Sequence, residues 1–265
     1  MSGSTDIWEQ IRKEARTESE AEPVLASFLY STIIVHRSLE RALAFHLAGK
    51  MSSATLLCTQ LFTLMTEIYQ NDRFIGDAIR ADLVAFRQRD PACETYLHVF
   101  LNYKGFLAVE AHRVAHSLWK SGRRSLALAI QSRVSEVFGV DFHPGATLGR
   151  GVFLDHATGV VVGETAVIGN NVTILHHVTL GGTGKQTGDR DRHPKIRDNV
   201  LIGAGAQVLG NIVVGEGTKI GAGSVVLSNI PPYSTAVGSP ARVVIPKKNK
   251  TFDGYKVENW DDYEI

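Results

Sequence analysis

The chain has 265 residues, of which 44% are hydrophobic, a net charge of +1 at neutral pH and two cysteines. That is enough apolar material for a proper core, or two. Near-neutral charge with no evident basic face argues against nucleic acid as the main partner, no apolar run reaches the roughly 18 residues of a membrane span, and two cysteines (Cys58 and Cys93) make no disulfide framework in so long a chain.

The N-terminus lacks a charged-then-apolar signal pattern, so a soluble cytoplasmic protein is expected. Residues 1–138 are poor in glycine and apolar at helical spacing: Ile7, Ile11 and Ala15; Val24, Leu25, Phe28, Leu29 and Ile33; Leu56, Leu57, Leu61, Leu64, Met65 and Ile68. Pro23 suits a first helical turn, Gly49 a C-terminal cap, and Pro91 and Gly122 mark further breaks. The pattern predicts five to seven helices packed as a bundle. His112 and His116 share one helical face but lack a Glu or Cys companion, so a packed pair is expected rather than a zinc site, and no metal is expected elsewhere. Cys93 lies near Asp90 with nothing around it to activate a thiolate.

After a transition at Gly139–Gly145 the pattern changes. An aliphatic residue returns every six positions, at Leu148 and Leu154, at Val162, Ile168, Ile174 and Leu180, and from Ile196 through Ile202, Val208, Val214 and Ile220 to Val226. Small residues fill the gaps, as in Gly-Ala-Gly after Ile202 and Ile220. A helix of 3.6 residues per turn would scatter these anchors. A parallel β-helix places each hexapeptide as one strand and one turn with its anchor inward, here over about four coils. The fold class is therefore α+β: a helical domain over 1–138, a β-helix over 139–245, and a flexible tail over 246–265. Pro231-Pro232 marks the end of the regular coils.

The beat breaks twice. Eight residues separate Leu154 from Val162, and sixteen separate Leu180 from Ile196. The second excess is polar and glycine-rich and ends Asp189-Arg-Asp-Arg-His193, so it leaves the solenoid as a loop over about 182–195. Breaks in a solenoid map to its binding face. The tail ends Trp260-Asp-Asp-Tyr-Glu-Ile265, an apolar terminus beside a free carboxylate, which suits either a frayed end or capture in a partner's pocket.

Histidine is the prime candidate for chemistry. His143 and His156 fall in the first coils, His176 and His177 in a middle coil, and His193 in the loop. Asp141 precedes His156 by somewhat less than one turn of a three-hexapeptide coil, so the two can face each other from neighbouring layers. A carboxylate on one imidazole nitrogen leaves the other as a base for a hydroxyl. A lone Asp–His pair is equally a structural hydrogen bond, and the spacing alone does not choose.

Asp141-Phe-His-Pro-Gly-Ala, Leu154-Asp-His-Ala-Thr-Gly-Val-Val-Val-Gly-Glu164, Val178-Thr-Leu-Gly-Gly-Thr-Gly-Lys185 and Asp191-Arg-His-Pro-Lys-Ile196 together closely resemble the bacterial serine acetyltransferases. The likeness extends into the helical part through Arg87-Gln-Arg-Asp-Pro91, Leu101-Asn-Tyr-Lys-Gly-Phe106 and Ala111-His-Arg-Val-Ala-His-Ser-Leu-Trp119, and so covers essentially the whole chain. It implies a left-handed β-helix and transfer of acetyl from acetyl-CoA to the L-serine hydroxyl, serving cysteine synthesis. It implies His156 as general base oriented by Asp141, Asp90 and Asp155 on the substrate ammonium, and Arg192 and His193 on its carboxylate. His176 and His177 are set aside as the base.

The wider superfamily implies acetyl-CoA lying along small-residue strands at Gly182, Thr183, Gly184, Ala204, Gly205, Ala222 and Gly223. Lys219, Arg242 and Lys247 are plausible phosphate contacts or plain surface charges. The resemblance further implies a hexamer built as a dimer of trimers, inhibition by L-cysteine, and docking of Ile265 into cysteine synthase (O-acetylserine sulfhydrylase). The alternatives are a hexapeptide acetyltransferase acting on a sugar or xenobiotic hydroxyl, a zinc-dependent carbonic anhydrase on the same solenoid, and a binding protein acting through its tail. The carbonic anhydrase needs separated histidines that His176-His177 do not provide.

Overall fold

In a computed structural model residues 6–184 and 191–244 are described. Among these, eight α-helices precede the first strand. They are α1 (Ile7–Ala21), α2 (Ala26–Leu29), α3 (Leu39–Met51), α4 (Cys58–Asn71), α5 (Arg73–Arg89), α6 (Tyr96–Asn102), α7 (Lys104–Lys120) and α8 (Arg124–Phe138). The count exceeds the expected five to seven because the chain after Pro23 splits into a 3-10 turn, the four-residue α2 and a π turn. Side chains cap several N-termini: Asp6 accepts from Trp8 N–H, Ser38 from Arg41 N–H, and Asp72 from Phe74 and Ile75 N–H. Gly49 does not cap. It lies inside α3, where Ser52 ends the helix. Nor do Val24, Leu25 and Phe28 join the core: they are exposed, Val24 almost fully.

Gly139 takes a left-handed conformation (φ 69°) at the end of α8 and turns the chain into the solenoid. Three parallel sheets form its walls. The first stacks β1 (Val140–Phe142), β4 (Val160–Val162), β7 (Thr179–Gly181), β10 (Gln207–Leu209) and β13 (Val225–Val226), which makes about five coils rather than four. The second stacks β2 (Thr147–Leu148), β5 (Val167–Ile168), β8 (Lys195–Ile196) and β11 (Val213–Val214). The third stacks β3 (Phe153–Leu154), β6 (Thr173–Ile174), β9 (Leu201–Ile202), β12 (Lys219–Ile220) and β14 (Thr235–Gly238), and closes on the antiparallel β15 (Ala241–Val244). All twelve six-residue anchors are buried, none more than 5% exposed. This is the α+β architecture the repeat predicts, a helical domain followed by a left-handed β-helix.

The pairing register shows where the two breaks go. Phe153 pairs with Thr173, Thr173 with Leu201 and Leu201 with Lys219, so successive coils consume 20, 28 and 18 residues. The two extra residues form a bulge where the third sheet turns into the first. The ten extra residues leave where the first sheet turns into the second.

The bundle grips the upper coils on the third wall. Phe153 packs edge-on against Phe86 at 4.8 Å, and a Cβ on Gly105 of α7 would lie 2.0 Å from the Leu154 carbonyl oxygen. Only glycine permits that approach. Arg113 of α7 is fully buried and donates to Asp82 of α5 (2.5 Å) and to Gly149 O (2.8 Å), while Asp82 also accepts from Val152 N–H (2.7 Å). Burial opposes the Arg113 charge, but Asp82 and Glu110 outweigh it. Burial pushes Glu110 well above the usual carboxylate range, with Arg113, 3.3 Å from its Oε2, opposing and Asp82 reinforcing the shift.

Candidate active site

The bulge between β3 and β4 carries Asp155-His156-Ala157-Thr158-Gly159. His156 and Ala157 both adopt left-handed backbone (φ 54° and 61°), rare for side chains with a Cβ. Ala157 N–H donates to Asp155 O (2.6 Å) and Thr158 N–H to His156 O (2.7 Å), tight turns that push the His156 imidazole outward until its side chain is 75% exposed. Its Nε2 lies 3.9 Å from Asp155 Oδ1, and the His176 ring meets it edge-on at 5.7 Å. His177, from the same coil as His176, stacks over Gly159, where a Cβ would lie 2.2 Å from its Nδ1. Lys104, at the start of α7, donates to Thr158 Oγ1 and ties the bulge to the bundle.

Asp90 follows directly on α5. Its carboxylate accepts from Ala92 N–H at 2.8 Å and from the Tyr103 hydroxyl. Burial first, then the Asp90 hydrogen bond, raises the Tyr103 phenol well above its ordinary value. The adjacent Arg89 reaches into the solenoid, donating to Gly151 O (3.1 Å) and Thr173 Oγ1 (3.2 Å). Arg89, Tyr103, Asp82 and Arg113 were not singled out from the sequence. An arginine beside Asp90 and an aromatic in Leu-Asn-Tyr-Lys-Gly were the available signals, but nothing in a helical pattern tells which polar residues face a neighbouring domain.

The other candidate residues gather one corner away, where the first sheet turns into the second. His193 is buried (6% exposed) and its ring lies on Gly163, where a Cβ would come within 2.1 Å of Nε2. Thr165 N–H donates to its Nδ1 at 3.1 Å, so a neutral ring carries its proton on Nε2. Burial, then Arg192 and Lys195, hold its pKa below the ordinary histidine value. His143 repeats the arrangement: Gly145 N–H donates to its Nδ1 (3.0 Å) and burial lowers its pKa against the pull of Glu164 and Asp141. Asp141 points outward from β1 and accepts from Gln131 Nε2 of α8 at 2.6 Å. Among the described residues it shares no hydrogen bond with His156. Its charge acts instead on His143, whose pKa it pulls upward.

The small residues of the coenzyme set also divide. Ala204-Gly205 and Ala222-Gly223 continue the His156 corner down the solenoid. A Cβ on Gly223 meets nothing within 4 Å and one on Gly205 only the Gly223 nitrogen at 4.0 Å, so this column is open on its outer side. Lys219 lies on the third wall, its pKa lowered by burial, and Arg242 sits in β15 opposite Val237. Gly182, Thr183 and Gly184 belong to the Arg192 corner, with Gly182 beside the Arg192 side chain and Thr183 against Gly210. Lys247, Ile265 and the rest of the tail lie outside the described residues, as do residues 185–190 of the loop. Among the described residues no group of three His, Cys, Asp or Glu side chains is placed to hold a metal. His112 is a packed histidine, its Nε2 on Ala146 O at 3.1 Å, and His116 Nδ1 meets Pro144 O at 2.8 Å.

Comparison with known proteins gives consistent matches along the chain. The family model "Serine acetyltransferase, N-terminal" matches residues 7–111, and "Bacterial transferase hexapeptide (six repeats)" matches residues 193–228. A probable serine acetyltransferase 1 of Oryza sativa subsp. japonica is 58% identical over 98% of this chain and 87% of its own length. Arabidopsis thaliana relatives include serine acetyltransferase 5, 56% identical over 98% of this chain and 86% of its own, and forms named mitochondrial and chloroplastic. The solved soybean serine acetyltransferase complexed with serine superposes with a TM-score of 0.87 at 63% identity, covering 90% of this chain and 97% of that one. The Brucella abortus serine acetyltransferase in complex with coenzyme A gives 0.87 at 48% identity, covering 91% and 96%.

Proposed function

This chain belongs to the serine acetyltransferase family, and on that premise we propose which of its residues carry the reaction. The reaction moves the acetyl group of acetyl-CoA to the hydroxyl of L-serine, giving O-acetyl-L-serine and CoA. A neutral hydroxyl attacks a thioester poorly until a base takes its proton. His156 is that base. The observation that carries this assignment is its bulge: two residues added to the coil, with strained left-handed backbone, exist to thrust one imidazole into solvent. Asp141 orients it, Asp90 and Asp155 receive the substrate ammonium, and Arg192 with His193 receives the carboxylate, Arg192 in bidentate fashion. The protonated His156 then returns its proton to the departing CoA sulfur.

Acetyl-CoA runs down the open column from His156 past Ala204, Gly205, Ala222 and Gly223 toward Lys219 and Arg242, with Lys247 a third phosphate contact. The substrate set and the coenzyme set both divide between the same two corners of one solenoid. A second copy presenting its Asp141, Arg192 and Gly182–Gly184 corner to this copy's His156 corner would reunite both sets. We read the assembly accordingly as trimers, paired into a hexamer through the helical domains, where Val24, Leu25, Phe28, Tyr30 and Val35 leave apolar surface exposed.

L-cysteine carries the same ammonium and carboxylate as serine and is the proposed inhibitor at the same contacts. Ile265 is the proposed anchor to cysteine synthase, and the cytoplasm the proposed location, with organelle import as the alternative that fractionation would reveal. The direct test follows thiol release from acetyl-CoA with L-serine, sugars and other hydroxyl compounds as acceptors, with L-cysteine added in the same assay. Selective turnover of serine supports the site reading, whereas equal turnover of a sugar hydroxyl would defeat the roles given to Asp90, Asp155 and Arg192. Deleting Ile265 should leave acetyl transfer intact and abolish binding to cysteine synthase.

A further inference from the structure

We propose that Thr165 and Lys195 are positioning residues that hold the Arg192–His193 turn in place and present the His193 Nε2–H to the substrate carboxylate. The proposal rests on the reading of Arg192 and His193 as carboxylate contacts, and it adds how a corner interrupted by ten extra residues is returned to a fixed geometry. The hydrogen bonds at this turn converge on two side chains. Thr165 Oγ1 accepts from both Arg192 N–H and His193 N–H, each at 3.2 Å, and lies 2.9 Å from His193 Nδ1. With both backbone donors pointing at its oxygen, the hydroxyl proton is shared between His193 Nδ1 and the Asp191 carboxylate, which also bonds Thr165, while Thr165 N–H donates to Nδ1 at 3.1 Å. A backbone N–H that can only donate, aimed at Nδ1, places the ring proton on Nε2.

Lys195 closes the other side. Its Nζ donates to Thr165 O (2.7 Å), Asp191 Oδ1 (2.5 Å) and His193 O (2.9 Å), so all three ammonium hydrogens are used within the turn. Its side chain is only 19% exposed, unlike an ordinary solvated lysine. Lys195 and Thr165 also anchor the loop to the regular coils, since Lys195 opens β8 and Thr165 sits in the turn before β5. The charged and titratable groups facing His193 are Arg192, Lys195, Glu164, His143 and Asp191. With three cationic or potentially cationic neighbours, a neutral Nε2–H donor recognises a carboxylate without adding a further buried charge, and it gives nothing to a substrate that lacks that acceptor.

The full-length enzyme with 15N-labelled histidine tests this. In the wild type without substrate, His193 should show its proton on Nε2 through neutral pH, and an Nδ1–H ring would overturn the proposal outright. Thr165→Val and Lys195→Met should each raise the KM for L-serine about ten-fold or more, as expected for lost hydrogen bonds to charged groups. The KM for acetyl-CoA should hold, and Thr165→Ser should recover the wild-type value. An unchanged serine KM in folded variants, or a parallel rise in both KM values, would reject a positioning role. His193→Gln serves as the control for the underlying site reading. If the serine KM ignores that change, the carboxylate assignment fails while the tautomer measurement still judges the turn.

Discussion

At the scale of single residues, His156 and His112 show how one side-chain type is put to opposite uses. His156 is thrust into solvent on a bulge and His112 is sealed between α7 and the solenoid. Replacing His156 with Ala should lower kcat by about 10²–10⁴-fold, the span of general base catalysis, while size-exclusion and circular dichroism remain those of the wild type. Near-normal turnover would remove it as the base. His112 has its pKa lowered to about 3, by burial first and then by His116, and its Nδ1 is buried without a hydrogen-bond partner among the described residues. A histidine depressed in the folded state is neutral there while the unfolded chain takes up a proton below its ordinary value of 6.5. Stability is therefore complete above that value and is lost as pH falls from 6.5 toward 3. The loss reaches about 2 kcal/mol by pH 5 for this one group, and His46, lowered to about 4 mainly by burial, adds in the same direction. Urea unfolding at pH 7 and pH 5 measures it, and His112→Phe should flatten the difference. An undiminished pH dependence in that variant would mean that other groups carry it. The histidines at the breaks of the beat, His156 and His193, were legible in the sequence because a period exposes its own exceptions. The buried Nδ1 of His112 was not, since the ring's backbone partner, Ala146, comes from a turn 34 residues away.

At the scale of elements, the twelve anchors were readable because each hexapeptide repeats one local environment, and the coil count rose from four to five only because β1 at one end and β14 at the other lie outside the beat. The bundle was harder to read. Val24, Leu25 and Phe28 keep helical spacing yet face outward, for spacing alone does not say which face another element will cover. What joins the two halves was invisible for the same reason: the ladder of Asp82, Arg113, Gly149 O and Val152 N–H couples α5 and α7 to the first coil with polar side chains inside apolar stripes. Removing one partner of a buried pair strands the other. Asp82→Asn should therefore destabilise by about 3–5 kcal/mol in chemical denaturation. Glu110, whose charge the same burial opposes, should tolerate Gln at a cost under about 1 kcal/mol, because a neutral amide suits a site that disfavours the carboxylate. Equal losses for the two variants would mean that Glu110 is ionised. Because Asp90 follows directly on α5, a milder break such as Arg89→Met should reach the site as well, raising the serine KM more than that of acetyl-CoA.

At the scale of the whole molecule, the division of the candidate residues between two corners decides how many chains make one site. His156 and Asp155 stand where the third wall meets the first, with Asp90 bonded to the Tyr103 that precedes the bulge-tying Lys104, while Arg192, His193 and Asp141 stand on the far side of the first wall or upon its face. If one chain supplied a whole site, two separately inactive variants could not help each other. If neighbouring chains each supply a corner, His156→Ala and Arg192→Ala carry their defects on opposite sides of every interface. In a randomly mixed closed ring of the two, about a quarter of interfaces join the intact His156 corner of one variant to the intact Arg192 corner of the other. Refolding the two variants together in equal amounts should therefore restore about a quarter of wild-type turnover, and refolding either alone should give only that variant's residual activity. The serine KM of the restored sites should equal that of the wild type, since each is built entirely of unaltered residues. Failure to recover activity in assemblies shown by native mass spectrometry to be mixed would place both corners' contributions within one chain.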